Sequence, residues 1–410
     1  MKFSFAIVAL AGLVAASPAP IVDGKRVCGS AKQGLLGCPF VSLRAYAVVL
    51  DPGFWWRLSS YLYTMDRYAA AHASRNGPGD ARPTALQIVA DEFQYGNTGK
   101  DSLSELTIVI TGATSGIGYE AARALYSTGA KLFITARDAD KAKSVIEKIV
   151  SSVSPVEGRK YQKIEFVSMD MVSLASVRQA AEEILAKAEH INVLINNAGV
   201  AFEPFEHTEE GLLRTWAVNY VAPFLLTYLL LPRLEASSTK SRRSRVVNLS
   251  TTGHRLFPVH LDDPNFRKTP YEPMSAYATS KLAVIYNANF IDRHFSTRGV
   301  RAVSLHPGTV HTPLYAGYAA QQTDKADVPP GYMEELKSVE QGAATTVFAA
   351  IASCLEEKGG VYLENCSYGK EATAEFGMMD GGYAAFAFDE VAEENLWKET
   401  CELLKVPDIL

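Results

Sequence analysis

After about residue 80, short apolar runs rich in β-branched residues alternate with longer stretches in which apolar positions recur at helical spacing. Such apolar runs are typical of buried strands, and their alternation with helices predicts a parallel sheet covered on both faces. The order of the elements predicts an α/β fold with a doubly wound, Rossmann-like sheet in a single main domain. The predicted strands are 106–111, 131–136, 163–169, 191–197, 244–250 and 300–307. The predicted helices are 117–128, 139–152, 173–189 and 275–297.

The first 80 residues lack this alternation. Residues 1–20 combine Lys2, an apolar run and small residues, a pattern that favours a secretory signal over a buried or frayed terminus. Residues 21–80 are interpreted as an extension or linker, and residues 81–410 as the main domain. Within the extension, the aromatic stretch 51–63 is expected to pack on the main domain, with contact to a membrane surface as the alternative.

Composition narrows the classes of function. The chain has 410 residues, of which 48% are hydrophobic and 21% charged, as in ordinary globular proteins. The net charge of −5 and the lack of a basic run longer than 240–245 argue against nucleic acid as a partner. Five cysteines without close pairs argue against a zinc site, and no metal is expected. The apolar run 221–232 is short and ends at a proline, so it is interpreted as a buried core helix.

A glycine-rich turn follows the first predicted strand, in the sequence "TGATSGIGYE". Gly112, Gly116 and Gly118 stand where the turn opens a helix. Glycine lets the backbone approach a pyrophosphate closely, and the helix N-terminus supplies N–H groups and a positive dipole. The position of this turn therefore predicts nucleotide binding, with a tight strand–helix turn that binds nothing as the alternative.

The second predicted strand ends at Ala136 and Arg137, where NAD-binding sites usually carry an acid that holds the ribose 2′-OH. A guanidinium donates several charge-assisted hydrogen bonds and suits a 2′-phosphate. The sequence therefore predicts NADP(H) over NAD(H). A surface ion pair between Arg137 and Asp138 is the alternative.

The segment "SAYATSK" places Tyr277 and Lys281 four residues apart on one face of a predicted helix. Free tyrosine has a pKa near ~10, and a neighbouring cation lowers the pKa of the phenol by favouring the phenolate. The pair therefore predicts a proton donor and the cation that tunes it. A Tyr–Lys contact on the protein surface is the alternative.

Seven motifs follow one another along the chain: "TGATSGIG", Asp170 in "SMDM", "NNAG" at 196–199, Asn219 in "AVNY", "VVNLST" at 246–251, Tyr277 and Lys281 in "YATSK", and "HPGTVHT" at 306–312. Over residues 80–405 the chain thereby resembles the short-chain dehydrogenases/reductases, in particular their retinol-dehydrogenase-like and WW-domain-oxidoreductase-like branch. The resemblance implies an NAD(P)-binding domain and hydride transfer between a nicotinamide cofactor and a carbonyl or alcohol.

The resemblance also implies roles for the catalytic positions. Tyr277 is expected to exchange a proton with the substrate, and Lys281 to hold the nicotinamide ribose as well as tune the phenol. Thr251 falls on the position of the hydroxyl that orients the carbonyl, where the family usually has serine, so Ser250 is an alternative for that role. Asn219 is expected to hold a backbone kink and a water of the proton relay, a role compatible with a purely structural one.

The same resemblance assigns residues to the cofactor. Asp170 is expected to contact the adenine, with a helix N-cap near Ser173 as the alternative, and the turn 307–312 is expected to cradle the nicotinamide end. The expected cofactor-binding residues are Gly112, Ser115, Gly116, Ile117, Gly118, Arg137, Asp170, Asn197, Ala198, Gly199, Tyr277, Lys281, Pro307, Gly308, Val310 and Thr312.

By the same analogy, the region 313–385 is expected to form much of the substrate pocket, and its Tyr, Phe, Met and Gly suit an apolar, adjustable one. The predicted substrate is a hydrophobic ketone, aldehyde or alcohol, such as a polyketide-, terpenoid-, steroid- or retinoid-like compound. One rival is a non-catalytic NADP-sensing protein of the same fold. The other is an epimerase or dehydratase of the related extended group, which usually has two residues between the first glycines, whereas three separate Gly112 from Gly116.

Residues 1–64 have no counterpart in the family, so they are interpreted either as a targeting extension or as upstream exons wrongly joined in a gene model. A membrane contact through these residues is a further option. The use of cellular NADPH favours an intracellular location, whereas the signal-like start implies the secretory pathway. A homo-oligomer is a further option, because many relatives associate through helices near Asn219 and Tyr277.

Overall fold

The computed structural model divides the chain into two units, Met1–Leu62 and Tyr63–Leu410. In the first unit, two short strands, Ile21–Val22 and Lys25–Arg26, pair antiparallel. The apolar start 1–20 and the aromatic stretch 51–63 lie outside the described residues. The structure describes residues 21–22, 25–26, 66–96, 103–314, 331–377 and 379–409.

The second unit begins at Tyr63, whereas the sequence analysis expected the main domain to begin at residue 81. Tyr68 is buried, and its hydroxyl donates to Asp91 at 2.6 Å. The backbone N–H of Gly77 donates to the carbonyl of Glu334 at 3.1 Å. Residues 66–80 therefore pack with the main unit. Their Gly- and Pro-rich composition had indicated a linker. The sequence did not reveal this packing, because the residues that they contact are distant along the chain.

Eight strands of the described residues form one sheet: β1 (Thr107–Thr111), β2 (Lys131–Ala136), β3 (Glu165–Ser168), β4 (Val193–Asn196), β5 (Ser244–Leu249), β6 (Val300–His306), β7 (Val361–Glu364) and β8 (Ser367–Tyr368). Their order across the sheet is β8-β7-β6-β5-β4-β1-β2-β3. All neighbouring pairs are parallel except β7 and β8, which are antiparallel. This topology confirms the predicted doubly wound fold, with the chain reversing direction across the sheet between β1 and β4.

Helix starts follow local capping signals. The side chain of Asp138 accepts the backbone N–H of Lys141, and that of Ser173 accepts the N–H of Ser176, satisfying N–H groups that have no partner inside the helix. Short 3₁₀ turns cover Ser296–Arg298, Ser353–Leu355 and Ala385–Phe388. The α-helices are α1 (Ala69–Ala73), α2 (Ala85–Tyr95), α3 (Gly116–Tyr126), α4 (Ala139–Ser152), α5 (Leu174–Lys187), α6 (Arg214–Ser237, with a π-helical turn at Ala217–Val221), α7 (Gly253–Leu256), α8 (Pro273–Phe295), α9 (Tyr332–Glu335), α10 (Val339–Gly342), α11 (Ala344–Ile351) and α12 (Glu390–Leu404).

Helices cover both faces of the sheet. Adjacent strand residues point to opposite faces, so Val109 packs with α5, α6, α8 and α12, whereas Ile108 and Ile110 pack with α2, α3, α4 and α11. Both faces are apolar, which explains why the central strands read as continuous apolar runs.

Helix α6 is the one helix of the described residues that is long and apolar enough to cross a membrane. The structure buries 78% of its most apolar window inside the protein. The segment 221–232 thus lies in a core helix, as its length and its proline indicated.

Helix α12 closes the side of the molecule formed by α6 and α8. Trp397 is 3% exposed, and its ring stacks on Phe290 with centroids 4.1 Å apart and ring planes 12° apart. Phe224 of α6 lies against the same indole at 4.7 Å. The C-terminal helix is therefore held by one buried aromatic cluster.

Candidate active site

A cavity of about 570 Å³ lies at the carboxyl ends of the parallel strands. Its walls come from the segments that directly follow β1 to β6, together with residues of α4, α6 and α8. The carboxyl edge of a doubly wound sheet is where such folds bind ligands.

Most of the residues expected to bind a cofactor line this cavity. Of the other expected site residues, Asn219 and Thr251, assigned to catalysis, and Gly308 and Val310, assigned to the cofactor, do not line it. The expected residues that do line it are Gly112, Ser115, Gly116, Ile117, Gly118, Arg137, Asp170, Asn197, Ala198, Gly199, Tyr277, Lys281, Pro307 and Thr312.

The turn after β1 interlocks with the turn after β4. The amide of Asn197 donates to the carbonyls of Thr111 and Gly112 at 2.8 and 3.1 Å. A Cβ atom on Gly118 would stand 2.3 Å from that amide nitrogen, and one on Gly112 would stand 2.8 Å from the Cα of Ala198. Glycine is therefore required here by the close approach of two backbones as well as by the positive φ of +67° at Gly112.

Helix α3 presents its N-terminus to the cavity. Its N-cap, Ser115, makes no side-chain capping bond. The turn after β6 lies directly above, because a Cβ atom on Gly116 would be 3.3 Å from the Cγ2 of Thr312. The first turn of α3 thus offers backbone N–H groups and the positive end of the helix dipole to an anion.

Two cations border the cavity at the end of β2. Arg137 and Lys141 are both exposed there, and Lys141 gave no signal in the sequence. The carboxylate of Asp138 accepts the backbone N–H of Lys141 at 2.9 Å and caps α4. Among the ion pairs between described residues none joins Arg137 to Asp138, so the predicted alternative of a surface pair is wrong.

Asp170 follows β3 on the cavity wall. Its carboxylate accepts the backbone N–H of Val172 at 3.0 Å, and its own N–H donates to the hydroxyl of Ser176. The N-cap of α5 is Ser173, so the alternative role of Asp170 as that cap is wrong.

Tyr277 and Lys281 lie one turn apart near the start of α8, and both reach the cavity. The Lys281 ammonium donates to the carbonyl of Leu249 at 2.9 Å and lies 5.7 Å from the centre of the Tyr277 ring. The Tyr277 ring stacks on Phe202, with centroids 6.2 Å apart. The helical spacing brings the phenol and the ammonium together within the cavity wall.

Burial changes the pKa of both groups. It lowers the pKa of Lys281 to about 8, because an ammonium loses hydration inside the protein. It raises the pKa of Tyr277, because the phenolate loses hydration too. This direction is opposite to the lowering expected from the sequence, which considered the neighbouring cation and not the burial.

Asn219 lies in the π-helical turn of α6 and is 1% exposed. Its amide oxygen accepts the N–H of Val200 at 2.8 Å, and its amide nitrogen donates to the carbonyl of Val200 and the hydroxyl of Ser280. Ser280 in turn donates to the carbonyl of Tyr277 at 2.7 Å. Asn219 therefore fixes the turn after Gly199 to the helix that carries Tyr277.

The two hydroxyls at the end of β5 have different surroundings. Ser250 lines the cavity, but its hydroxyl donates to the carbonyl of Lys281 at 2.7 Å. The Thr251 hydroxyl accepts the N–H of Gly253 at 3.2 Å and donates to no acceptor among the described residues. For the role of orienting the substrate carbonyl, the capacity to donate a hydrogen bond favours Thr251, whereas the position on the cavity wall favours Ser250.

The turn after β6 is held from behind by Lys337, which the sequence did not indicate. Its ammonium donates to the carbonyl of Pro307 at 3.3 Å and to the amide oxygen of Asn365 at 2.8 Å. Gly308 has a φ of +95°, and a Cβ atom there would be 2.8 Å from the Lys337 side chain. Val310 packs against Gly342 instead of facing the cavity. No local pattern could reveal this contact, because Lys337 lies about 30 residues further along the chain.

The sequence of the chain is similar to that of known oxidoreductases. A profile of the short chain dehydrogenase family matches residues 106–262. Oxidoreductase calI of Penicillium decumbens is 38% identical over 347 residues, covering 83% of this chain and 98% of that protein. Polyprenol dehydrogenase of Homo sapiens is 32% identical over 303 residues, covering 73% and 86%. Retinol dehydrogenase 13 of Homo sapiens is 30% identical over 315 residues, covering 76% and 88%.

Proposed function

The chain belongs to the short-chain dehydrogenase/reductase family of oxidoreductases, and from this membership we propose that it interconverts a carbonyl and an alcohol on a hydrophobic small molecule with NADP(H). The observation that carries the proposal is the assembly of Tyr277, Lys281 and the glycine-rich turn around one cavity. The family expected from the sequence motifs is confirmed.

The chain's residues fit a dinucleotide. Gly112, Gly116 and Gly118 line the cavity next to the N-terminus of α3, where backbone N–H groups would face a bound anion. Arg137 and Lys141 are proposed to hold the 2′-phosphate and Asp170 the adenine. The turn that contains Pro307 and Thr312 is proposed to hold the nicotinamide end. When bound, the cofactor supplies or accepts the hydride.

Tyr277 is proposed to donate its proton to the carbonyl oxygen during reduction and to accept the alcohol proton during oxidation. Its raised pKa keeps the phenol protonated at neutral pH, ready for reduction. Lys281, with a pKa of about 8, is mostly charged at neutral pH and stabilises the phenolate that remains. The free proton of the Thr251 hydroxyl is proposed to orient the carbonyl, and Asn219 to keep the relay to Lys281 in place.

The substrate class is supported by the names of the relatives, which refer to polyprenol and retinol, both long apolar alcohols. Of the expected pocket region, Pro313 and Leu314 line the cavity, whereas Met333, Phe376 and Tyr383 do not. Residues 315–330 of that region lie outside the described part of the chain. A polyketide-, terpenoid-, steroid- or retinoid-like ketone or alcohol, including one from secondary metabolism, is the proposed substrate.

The test is NADPH consumption by the full chain against a panel of apolar ketones and aldehydes, with NADH and Tyr277→Phe as controls. Turnover that needs NADPH and disappears in the variant supports a carbonyl reductase. Tight NADPH binding with no turnover across the panel contradicts it and favours a non-catalytic, cofactor-sensing protein. Product with altered stereochemistry and no net NADPH use favours an epimerase.

Replacing Arg137 is expected to change the choice of cofactor. Arg137→Ala removes charge-assisted hydrogen bonds with a total net contribution of about 1.5–3 kcal/mol, so the Kd of NADPH should rise about 10–100-fold. The Kd of NADH should change little. Fluorescence titration of both cofactors measures this effect, and Arg137→Lys serves as the control that keeps the charge. Equal weakening of NADPH and NADH by Arg137→Ala would contradict the assignment of the 2′-phosphate to this residue.

A further inference from the structure

His254 lies in the short helix α7, three residues after Thr251, and is fully buried. Its ring Nδ1 lies 2.5 Å from the carbonyl oxygen of Thr251. Its ring Nε2 lies 3.2 Å from the backbone nitrogen of Ala384, 130 residues away along the chain. One imidazole therefore joins the backbone at the end of β5 to the backbone of a distant C-terminal segment.

The two partners define the state of the ring. A carbonyl oxygen only accepts, so Nδ1 carries the hydrogen and donates to Thr251. A backbone N–H only donates, so the lone pair of Nε2 accepts from Ala384. His254 is thus a neutral imidazole in a single tautomer, and burial lowers its pKa to about 4. Both nitrogens are engaged and the ring does not line the cavity, so it is not placed to exchange protons with a substrate.

The next residue holds the same segment. The guanidinium of Arg255 donates to the carbonyls of Gly377, at 2.9 Å, and Asp380. It also lies 6.0 Å from the centre of the Phe376 ring. Two consecutive side chains of α7 therefore hold the described residues 376–377 and 379–384, termed here the C-terminal loop.

Aromatic contacts extend this connection. The ring of Tyr362 in β7 packs edge-on against His254, with centroids 5.6 Å apart, and against Tyr383 at 5.9 Å. The Tyr362 ring therefore packs both against His254, next to the end of β5, and against Tyr383 of the C-terminal loop.

We propose that His254 is a positioning residue that sets the Thr251 hydroxyl through its Nδ1–H bond and seats the C-terminal loop through its Nε2 bond. The proposal rests on the proposed function, since Thr251 is the residue assigned to orient the substrate carbonyl. The first bond affects the chemical step, because it fixes the backbone that carries the hydroxyl. The second affects substrate binding, because the C-terminal loop belongs to the region assigned to the substrate pocket.

Two variants separate these bonds. In His254→Asn, the side-chain amide stands at the position of Nδ1 and retains the bond to Thr251 but loses the one to Ala384. In His254→Gln, the amide reaches the position of Nε2 and retains the acceptor for Ala384 but loses the donor to Thr251. His254→Phe removes both bonds while keeping an aromatic ring of similar size.

The full chain and each variant are assayed for kcat and KM with the best substrate of the panel, for the Kd of NADPH, and for thermal unfolding. His254→Asn is expected to raise KM about tenfold with kcat within about threefold of the wild type. His254→Gln is expected to lower kcat about tenfold with KM within about threefold. His254→Phe should show both changes, and the Kd of NADPH should be the same in all.

Hydrogen exchange at the Ala384 amide gives a readout that does not depend on turnover. Exchange should be faster in His254→Asn and His254→Phe and remain as in the wild type in His254→Gln. Equal changes of kcat and KM in the Asn and Gln variants, or equal exchange rates at Ala384, would overturn the positioning role. Absence of turnover in the wild-type chain across the panel would instead overturn the proposed function, and with it the role towards Thr251.

Discussion

Tyr277→Phe is expected to lower kcat for carbonyl reduction by about 10²–10⁴-fold, the contribution typical of a positioned general acid. The variant removes only the hydroxyl and keeps the ring that stacks on Phe202. Folding and cofactor affinity should therefore stay close to those of the wild type. Steady-state kinetics with NADPH and a turned-over ketone, together with a fluorescence titration of NADPH, measure the two quantities separately.

A matched control lies on the same helix. Tyr286 is buried nine residues further along α8, and its hydroxyl donates to the carbonyl of Phe386 at 2.7 Å, away from the cavity. Tyr286→Phe removes the same group without touching the proposed site, so kcat should stay within about threefold of the wild-type value. If Tyr277→Phe retained a third or more of the wild-type kcat, the proton would come from another group.

Trp397→Ala is expected to lower the free energy of unfolding by about 3–5 kcal/mol, the range for deleting a large buried aromatic side chain. The indole fills the space between α6, α8 and α12, where it contacts Phe290 and Phe224. Its loss leaves a cavity that the surrounding aromatic side chains cannot fill without leaving their own positions. Urea denaturation followed by circular dichroism measures the change.

Val391→Ala is the control for this effect, because Val391 is on the same helix and is 70% exposed. That substitution should change the free energy of unfolding by no more than about 0.5 kcal/mol. A loss below about 1 kcal/mol for Trp397→Ala would mean that α12 contributes little to the stability of the fold. A normal stability with reduced activity would instead point to a role of α12 in shaping the site.

Local patterns were sufficient for the main elements of the fold. The apolar runs at 131–136 and 244–250 became β2 and β5 with bounds that agree within one residue. Asp138 and Ser173 are the N-caps that directly precede α4 and α5. These signals lie within a few residues of the structure that they specify, so the sequence shows them directly.

Pairing between distant segments was not visible in the same way. Strands β7 and β8 are short, β8 lies at the edge of the sheet, and the sequence did not predict either strand. Residues 66–80 read as a linker, although Tyr68 and Gly77 bond to partners far along the chain. In both places the deciding contacts are tertiary and leave no periodic pattern.

The same distinction between local signals and tertiary contacts applies to the candidate site. The sequence by itself determined which chemical groups are present, namely the glycine-rich turn, the tyrosine and lysine one helical turn apart, and an arginine where an acid is usual. Only the tertiary structure decided the state of these groups. Burial raises the pKa of Tyr277, and the Ser250 hydroxyl donates to the backbone carbonyl of Lys281. Lys337 and His254 hold backbone segments next to the site through hydrogen bonds. Dehydration of a charge and the choice of a hydrogen-bond partner depend on every chain segment that packs around a group, and these segments meet only when the sheet has formed.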